Sequence, residues 1–336
     1  MPAAAPQQLD RMIAGSCISQ AIYAAARFDV AGLLSAGPKS VAELAEATST
    51  HPDALYRLLR ALASAGVFAE ISPRRFALTP LAELLRDDVP GSKRDLSLMM
   101  GDEQFRAFAE IDQGVRTGKT VFEKIYGMPV FDYLAEHPEK ARIFDRAMVG
   151  IHGRDPEAIL AAYDFSGVGV VADVGGGNGS QITALLQKYP AARGILFDLP
   201  HVIERARPSI EAAGLADRCE LVGGSFFERV PAGADVYLLR HIIHDWDEAK
   251  VLAILRTCRA AMKPDSKLLI VESVIPEGNA PCVGKLLDLV LLLVGGGRER
   301  TAGEYRDLLA RAGFELRQVV PTETEVSVIE ATIAIV

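Results

Sequence analysis

The sequence predicts an α/β protein in which a mostly helical, winged-helix-like N-terminal region precedes a C-terminal domain built on a mixed seven-stranded sheet. Three observations predict it. Beyond residue 167, short apolar runs alternate with amphipathic helical runs, the rhythm of a parallel sheet covered on both faces. A glycine-rich turn, VADVGGGNGS at 171–180, overlaps the end of the first of those runs. Upstream, two short helices lead into a tight hairpin. The domain bounds read from these changes are 1–100 for the N-terminal domain, 101–163 for a helical linker region contributing to a substrate pocket, and 164–336 for the α/β domain.

The elements follow in order. Over 8–30, Leu9, Met12, Ile13, Cys17, Ile18, Ala21, Ile22, Ala25 and Phe28 recur at spacings of three and four, which predicts a helix. Ser40, with Glu43 three residues later, opens a second helix through a capping box. THPDALYRLLRALASAG is a third, with Gly66 as its C-cap. VFAEI and RFALT, around SPRR, read as the hairpin. Residues 81–163 read as helical and are rich in large apolar side chains; most suit a core and a few suit a pocket for a flat apolar ligand. Five strand-like runs then alternate with helices, and FELRQVVPT and VSVIEATIA close the chain as antiparallel edge strands. The most apolar run, LLDLVLLLVGGG at 286–297, is too short to span a bilayer and reads as a buried helix.

Composition narrows the function. A chain of 336 residues that is 49% hydrophobic can bury sizeable cores. A net charge of −8 argues against nucleic acid or an anionic membrane as partner. Cys17, Cys219, Cys258 and Cys282 form no CxxC pair, as expected of reduced thiols in a cytoplasmic protein rather than of a disulfide frame or a zinc site. The start, MPAAAPQQLD, has neither a basic end nor an apolar run, so no signal peptide is expected.

The glycine turn poses the cofactor question. Gly175, Gly177 and Gly179 alternate behind Asp173, letting the chain turn sharply and a ligand approach its backbone at a helix N-terminus. Asp198 ends the next strand, where a carboxylate can accept both ribose hydroxyls of either NAD or S-adenosylmethionine. The loop matches the dinucleotide pattern imperfectly, since Ser180 stands at its last position. An acid at Asp173 would repel a pyrophosphate but suits the cationic methionine end of S-adenosylmethionine, which favours the methyl donor.

LLRHIIHDWDE places His241 and His244 three apart, beyond a parallel strand and on the sheet edge that carries the glycine loop. No further ligand spacing accompanies them, so no metal is expected. VADVGGGNGS, LFDLPHVIE, VGGSFF, LRHIIHDWDE and GGRERT occur in this order. Together they resemble the plant caffeic-acid-type O-methyltransferases and their bacterial relatives acting on polyketides, phenazines and carotenoids, over essentially the whole chain. The resemblance implies a Rossmann-like methyltransferase domain, a dimerisation domain and hence a homodimer, S-adenosyl-L-methionine as cofactor, and a small hydroxylated, aromatic substrate. It implies His244 as general base, flanked by Glu272 and Glu299. Gly175 and Asp198 match the family's cofactor contacts; Ser225 stands where the family commonly has an aspartate, with Phe226 beside the adenine, and Arg240 where many relatives have lysine. Met148 resembles the family's substrate-facing methionine, and Phe144 lies one turn before it. Trp246 is expected to pack, with an edge toward the adenine.

The chemistry is consistent on its own terms. A phenol with a pKa of ~10 is neutral at pH 7, and an ordinary histidine near ~6.5 is mostly free base there. Such an imidazole accepts the phenolic proton as the methyl group transfers. A carboxylate on its other nitrogen holds the tautomer. Three other readings stand against this one: a winged-helix, ligand-sensing transcriptional regulator, a nicotinamide dehydrogenase, and a family member with non-methylating chemistry. The candidate recognition helix carries only Arg57 and Arg60 as basic residues. The filled positions His244, Glu272 and Glu299 argue against lost methyl transfer.

Overall fold

The computed structural model describes residues 5–334. Its contacts divide the chain into two compact units, one running to Glu110 and including Phe122–Gly153, the other comprising Ile111–Val121 and everything from Arg154.

In the first unit the periodic run at 8–30 folds as two helices, Ala5–Ile13 and Gly15–Arg27, rather than one. The break falls beside Gly15, a poor helix former, and the first helix buries no residue that would hold it in line with the second. The capping box forms: Ser40 Oγ accepts from the Glu43 amide at 3.2 Å, and Glu43 Oε2 accepts from the Ser40 amide at 2.7 Å. It opens Val41–Thr48, and Pro52–Ser64 follows. The hairpin is present, with β1 (Lys39–Ser40) added to β2 (Phe68–Ser72) and β3 (Arg75–Leu78) in the order β1-β3-β2. A two-residue strand is too short to show a period, so the sequence carries no sign of β1. Leu44, Leu59, Leu62 and Phe76 lie in the core of these elements and are fully buried.

The second unit is a seven-stranded sheet of β4 (Val170–Val174), β5 (Arg193–Asp198), β6 (Cys219–Gly223), β7 (Val236–Arg240), β8 (Lys267–Glu272), β9 (Phe314–Pro321) and β10 (Ser327–Ile333). The order is β6-β5-β4-β7-β8-β10-β9. The first five strands are parallel, and β10 runs antiparallel to both its neighbours. VSVIEATIA is therefore an interior strand, not an edge; of the last two strands β9 alone is an edge, opposite β6. Val328, Ile329 and Ala331 are fully buried. The misleading residue is Glu330, which suggests solvent but is 6% exposed. Its carboxylate is satisfied by Lys267 Nζ at 3.0 Å, the Tyr163 hydroxyl at 2.8 Å and Gln318 Nε2 at 2.8 Å.

The run 286–297 also differs from expectation. It is the end of a helix, Gly284–Val290, that continues as a π turn, Leu291–Gly295. Leu293 is fully buried, but Leu286 is 66% exposed. The π turn is covered by the segment from Ile111, where a side chain at Gly114 would run into Leu293. Among the described residues, no helix is long and apolar enough to cross a membrane. The functional consequence of the sheet is a single edge: Asp173, Asp198, Arg240 and Glu272 all stand at the C-terminal ends of parallel strands. The order reverses between β4 and β7, the position where open α/β sheets take ligands.

Candidate active site

The glycine loop is built as its spacing predicts. Gly175, Gly177 and Gly179 have φ of 73°, 59° and 76°, the left-handed region that glycine alone enters without strain. A side chain at Gly175 would run into Ile242, and one at Gly177 would meet nothing within 4 Å. The Gly175 amide donates to the Phe197 carbonyl at 2.7 Å, tying the loop to β5. Helix Ser180–Lys188 then starts directly from Gly179.

Two carboxylates flank this loop. Asp198 has one oxygen on the Gly177 amide at 2.9 Å and the other on the Leu199 amide at 2.6 Å. Each carboxylate oxygen still has a lone pair for a further donor. Asp173 is 1% exposed, and its Oδ2 has no hydrogen-bond partner among the described residues. Burial, only partly offset by the Arg240 charge, pushes its pKa up to about 6. Arg240 donates to Ser180 Oγ at 3.3 Å, so it belongs to the loop's surroundings.

Beyond β6, Ser225 Oγ accepts from the Phe227 amide at 3.3 Å, and the serine caps its own turn. Phe226 stands against the glycine loop, its ring edge 3.5 Å from where a Gly175 Cβ would be. Trp246 packs edge-on against Phe226 and Phe227, with centroids at 6.1 and 5.0 Å. The Lys250 ammonium lies 5.1 Å from the indole centroid.

His244 lies in a one-turn 3₁₀ helix, Ile243–Asp245, just past β7, and is 7% exposed. Its Nδ1 is 2.8 Å from Glu299 Oε1. Glu299 is itself oriented by its amide, which donates to Asp288 Oδ1 at 2.8 Å. Glu272, expected to flank His244, does so through the backbone. Its Oε1 accepts from the backbone amides of Ile242 at 3.1 Å and His244 at 3.0 Å. Its Oε2 accepts from the Tyr305 hydroxyl at 2.7 Å. Glu272 thus grips the turn that carries His244, while Glu299 hydrogen-bonds the ring at Nδ1 and Asp245 Oδ1 stands 3.6 Å from Nε2. His244, Glu272 and Glu299 each bring a ligand-capable atom within 4.8 Å of the others. Both Glu272 oxygens and Glu299 Oε1 already serve as hydrogen-bond acceptors, while the buried Glu299 Oε2 has no hydrogen-bond partner among the described residues.

The surroundings of His244 also shift its proton affinity. Burial lowers its proton affinity, but Asp245, Glu272 and Glu299 outweigh that and raise the pKa to about 10. Burial pushes Glu299 up as well, and Glu272 and Asp288 add to it. An ordinary histidine would be mostly free base at neutral pH; the carboxylates around this one raise its proton affinity above that.

Several residues of the site were not visible in the sequence. Tyr305 and Asp288 belong to helical runs and carry no motif. Asp155 Oδ2 lies 2.9 Å from His241 Nε2, and the His241 ring centroid is 5.6 Å from that of His244. Gly297 is a steric requirement, since a Cβ there would run into the His244 carbonyl. Phe144 and Met148 lie in the first unit, both half-buried on helix Pro138–His152, with Phe144 edge-on to Phe131 at 6.3 Å.

Comparison with known proteins gives a consistent result. Residues 11–88 match the model of the O-methyltransferase dimerisation domain, and residues 108–315 that of the O-methyltransferase domain. The phenazine O-methyltransferase PhzM of Lysobacter antibioticus is 47% identical over 321 residues, covering 96% of this chain and 94% of its own. The mitomycin biosynthesis 6-O-methyltransferase of Streptomyces lavendulae is 39% identical over 321 residues, covering 95% and 92%. Among solved structures is the O-methyltransferase NcsB1 from neocarzinostatin biosynthesis, in complex with S-adenosylmethionine and 2-hydroxy-5-methyl naphthoic acid. It superposes with a TM-score of 0.84 at 34% identity, over 94% of this chain and 95% of that one.

Proposed function

The chain belongs to the O-methyltransferase family, and from that membership and the geometry around His244 we propose that it methylates a hydroxyl of a small, flat aromatic metabolite, with His244 as general base and S-adenosylmethionine as donor. The observation that carries the reading is the buried His244–Glu299 couple, 2.8 Å long, at the same sheet edge as the glycine loop.

The residues of that loop fit the cofactor. The orphaned Asp173 Oδ2 is an acceptor below a loop whose glycine amides are approachable, as the amino and carboxylate groups of a methionine end require. Asp198 keeps lone pairs for the ribose hydroxyls. Phe226 stands beside Gly175, which supports assigning these two, with Ser225, to the adenosine, and Arg240 bonds the loop through Ser180. When bound, S-adenosylmethionine supplies the methyl group and a positive sulfonium.

The chain's own residues do the rest. His244, in its deprotonated form, takes the substrate's proton at Nε2. Glu299 fixes Nδ1–H and stabilises the imidazolium once the proton has arrived. Glu272 keeps the turn in place through its amides, and the remaining contribution is in-line placement of the reacting groups. Phe144 and Met148 are substrate contacts in this reading. The exposed Leu9, Met12 and Ile13 of the first helix supply an apolar face for a homodimer. Cytoplasmic residence and the absence of a nucleic-acid partner complete the proposal. Mass spectrometry of a panel of hydroxylated aromatics incubated with protein and S-adenosylmethionine tests it. A gain of one methyl on at least one phenol is expected; methylation confined to aliphatic hydroxyls or to none would overturn the substrate class.

A further inference from the structure

We propose that Tyr305 is a positioning residue for methyl transfer, acting through Glu272 on the backbone of the turn that carries His244. This rests on His244 being the base. The chain of contacts is continuous. Tyr305 Oη donates to Glu272 Oε2 at 2.7 Å, and Glu272 Oε1 accepts from the Ile242 and His244 amides at 3.1 and 3.0 Å. Glu272 and Tyr305 are both fully buried, so water does not compete for these bonds. Burial, with the Glu272 and Glu299 carboxylates beside it, holds the phenol well above the ordinary tyrosine range, so it remains an O–H donor.

The arrangement has a second feature. The segment from Glu299 to Tyr305 supplies both grips on the catalytic histidine: Glu299 on the ring and Tyr305, through Glu272, on the turn. That segment is braced by a local pair of hydrogen bonds. Thr301 and Glu304 form a reciprocal capping box at 3.2 and 2.8 Å, which starts helix Ala302–Arg311 and sets the distance between the two grips. The turn needs such a clamp. His241 sits at φ 54°, a left-handed conformation that a non-glycine residue holds only when its surroundings impose it. In this account Glu272 is a backbone acceptor first and an electrostatic neighbour of the imidazole second.

Tyr305→Phe keeps the ring and removes the donor. We expect kcat to fall about tenfold, the scale of one charged hydrogen bond lost in a buried network, with KM for S-adenosylmethionine changed less than about twofold because no cofactor contact is touched. The partner variants separate a clamp from an ion pair. Glu272→Gln retains a carbonyl oxygen for the two amides, and its N–H can donate to the Tyr305 oxygen, so it should keep far more activity than Glu272→Ala. The Tyr305→Phe penalty should shrink in the Glu272→Ala background, since the two act as one unit. Wild-type kcat in Tyr305→Phe, an unchanged penalty in the Glu272→Ala background, or equal damage from Glu272→Gln and Glu272→Ala would overturn the proposal. The Glu272 pair decides the matter even if Tyr305→Phe fails to fold. His244→Ala in the same assays reports separately on the base itself: normal turnover there would sink the base while the clamp results would not.

Discussion

Replacing Glu299 by glutamine separates two effects that most substitutions confound. In the protein as it stands, Glu299 Oε1 lies 2.8 Å from Nδ1 in a place closed to water. At that separation an effective dielectric of about 20 gives roughly 6 kcal/mol of gross attraction between carboxylate and imidazolium. Desolvation consumes much of it, and hydrogen bonds to charged groups keep about 1.5–3 kcal/mol net. At about 1.4 kcal/mol per factor of ten, the limiting rate should fall roughly 10- to 150-fold. A glutamine that offers its N–H to Nδ1 also moves the ring proton to Nε2, the wrong nitrogen, which places the loss at the upper end. The pH dependence moves oppositely to what simple damage would give. The base must be deprotonated to act, and three carboxylates hold it near 10. The kcat/KM of the wild type, which reports the free protein, should therefore keep climbing from pH 7 to pH 9. Removing one carboxylate lowers the proton affinity of His244, so the acid limb in Glu299→Gln shifts to lower pH by about 1–2 pH units. Methyl-transfer rates measured from pH 6 to pH 10 for both proteins show this directly. A lower plateau with an unmoved acid limb would refute the electrostatic reasoning.

Other sites give further outcomes. Gly297→Ala should abolish activity although no reacting group is altered, because the new Cβ meets the His244 carbonyl; wild-type turnover with unchanged melting would contradict that packing. Asp198→Ala frees the Gly177 and Leu199 amides as well as the ribose site. Calorimetry should show S-adenosylmethionine affinity down by tenfold or more, at about 1.4 kcal/mol per decade. Met12→Glu, on a helix with no buried residue and an exposed apolar face, should shift light scattering from dimer toward monomer while the melting temperature of the catalytic unit holds.

Much of this site was legible in the sequence because its parts are short and local. Alternating glycines at 175, 177 and 179 announce three left-handed residues, and all three are left-handed. His244 and Glu299 lie in distinct motifs and come together as the resemblance implied. What stayed hidden depends on partners far along the chain. Glu272 was expected to flank His244; that it grips backbone amides is decided by the β7–β8 register and by Tyr305, one position among many in an amphipathic helix. The raised proton affinity of His244 was also invisible, since composition cannot show Asp245, Glu272 and Glu299 converging on one ring. β10 was misplaced at an edge for the same reason: Glu330 reads as solvent-facing until Lys267, Tyr163 and Gln318 are seen to meet it.

The central claim is that His244 takes the proton of the methylated hydroxyl. Single-turnover methyl transfer by His244→Ala, beside calorimetric titration of the same protein with S-adenosylmethionine, tests it most directly. The account predicts transfer slowed by at least about a hundredfold, the lower bound for a lost general base, with cofactor affinity close to that of the wild type. Transfer at the wild-type rate in a variant that binds the cofactor normally would contradict it.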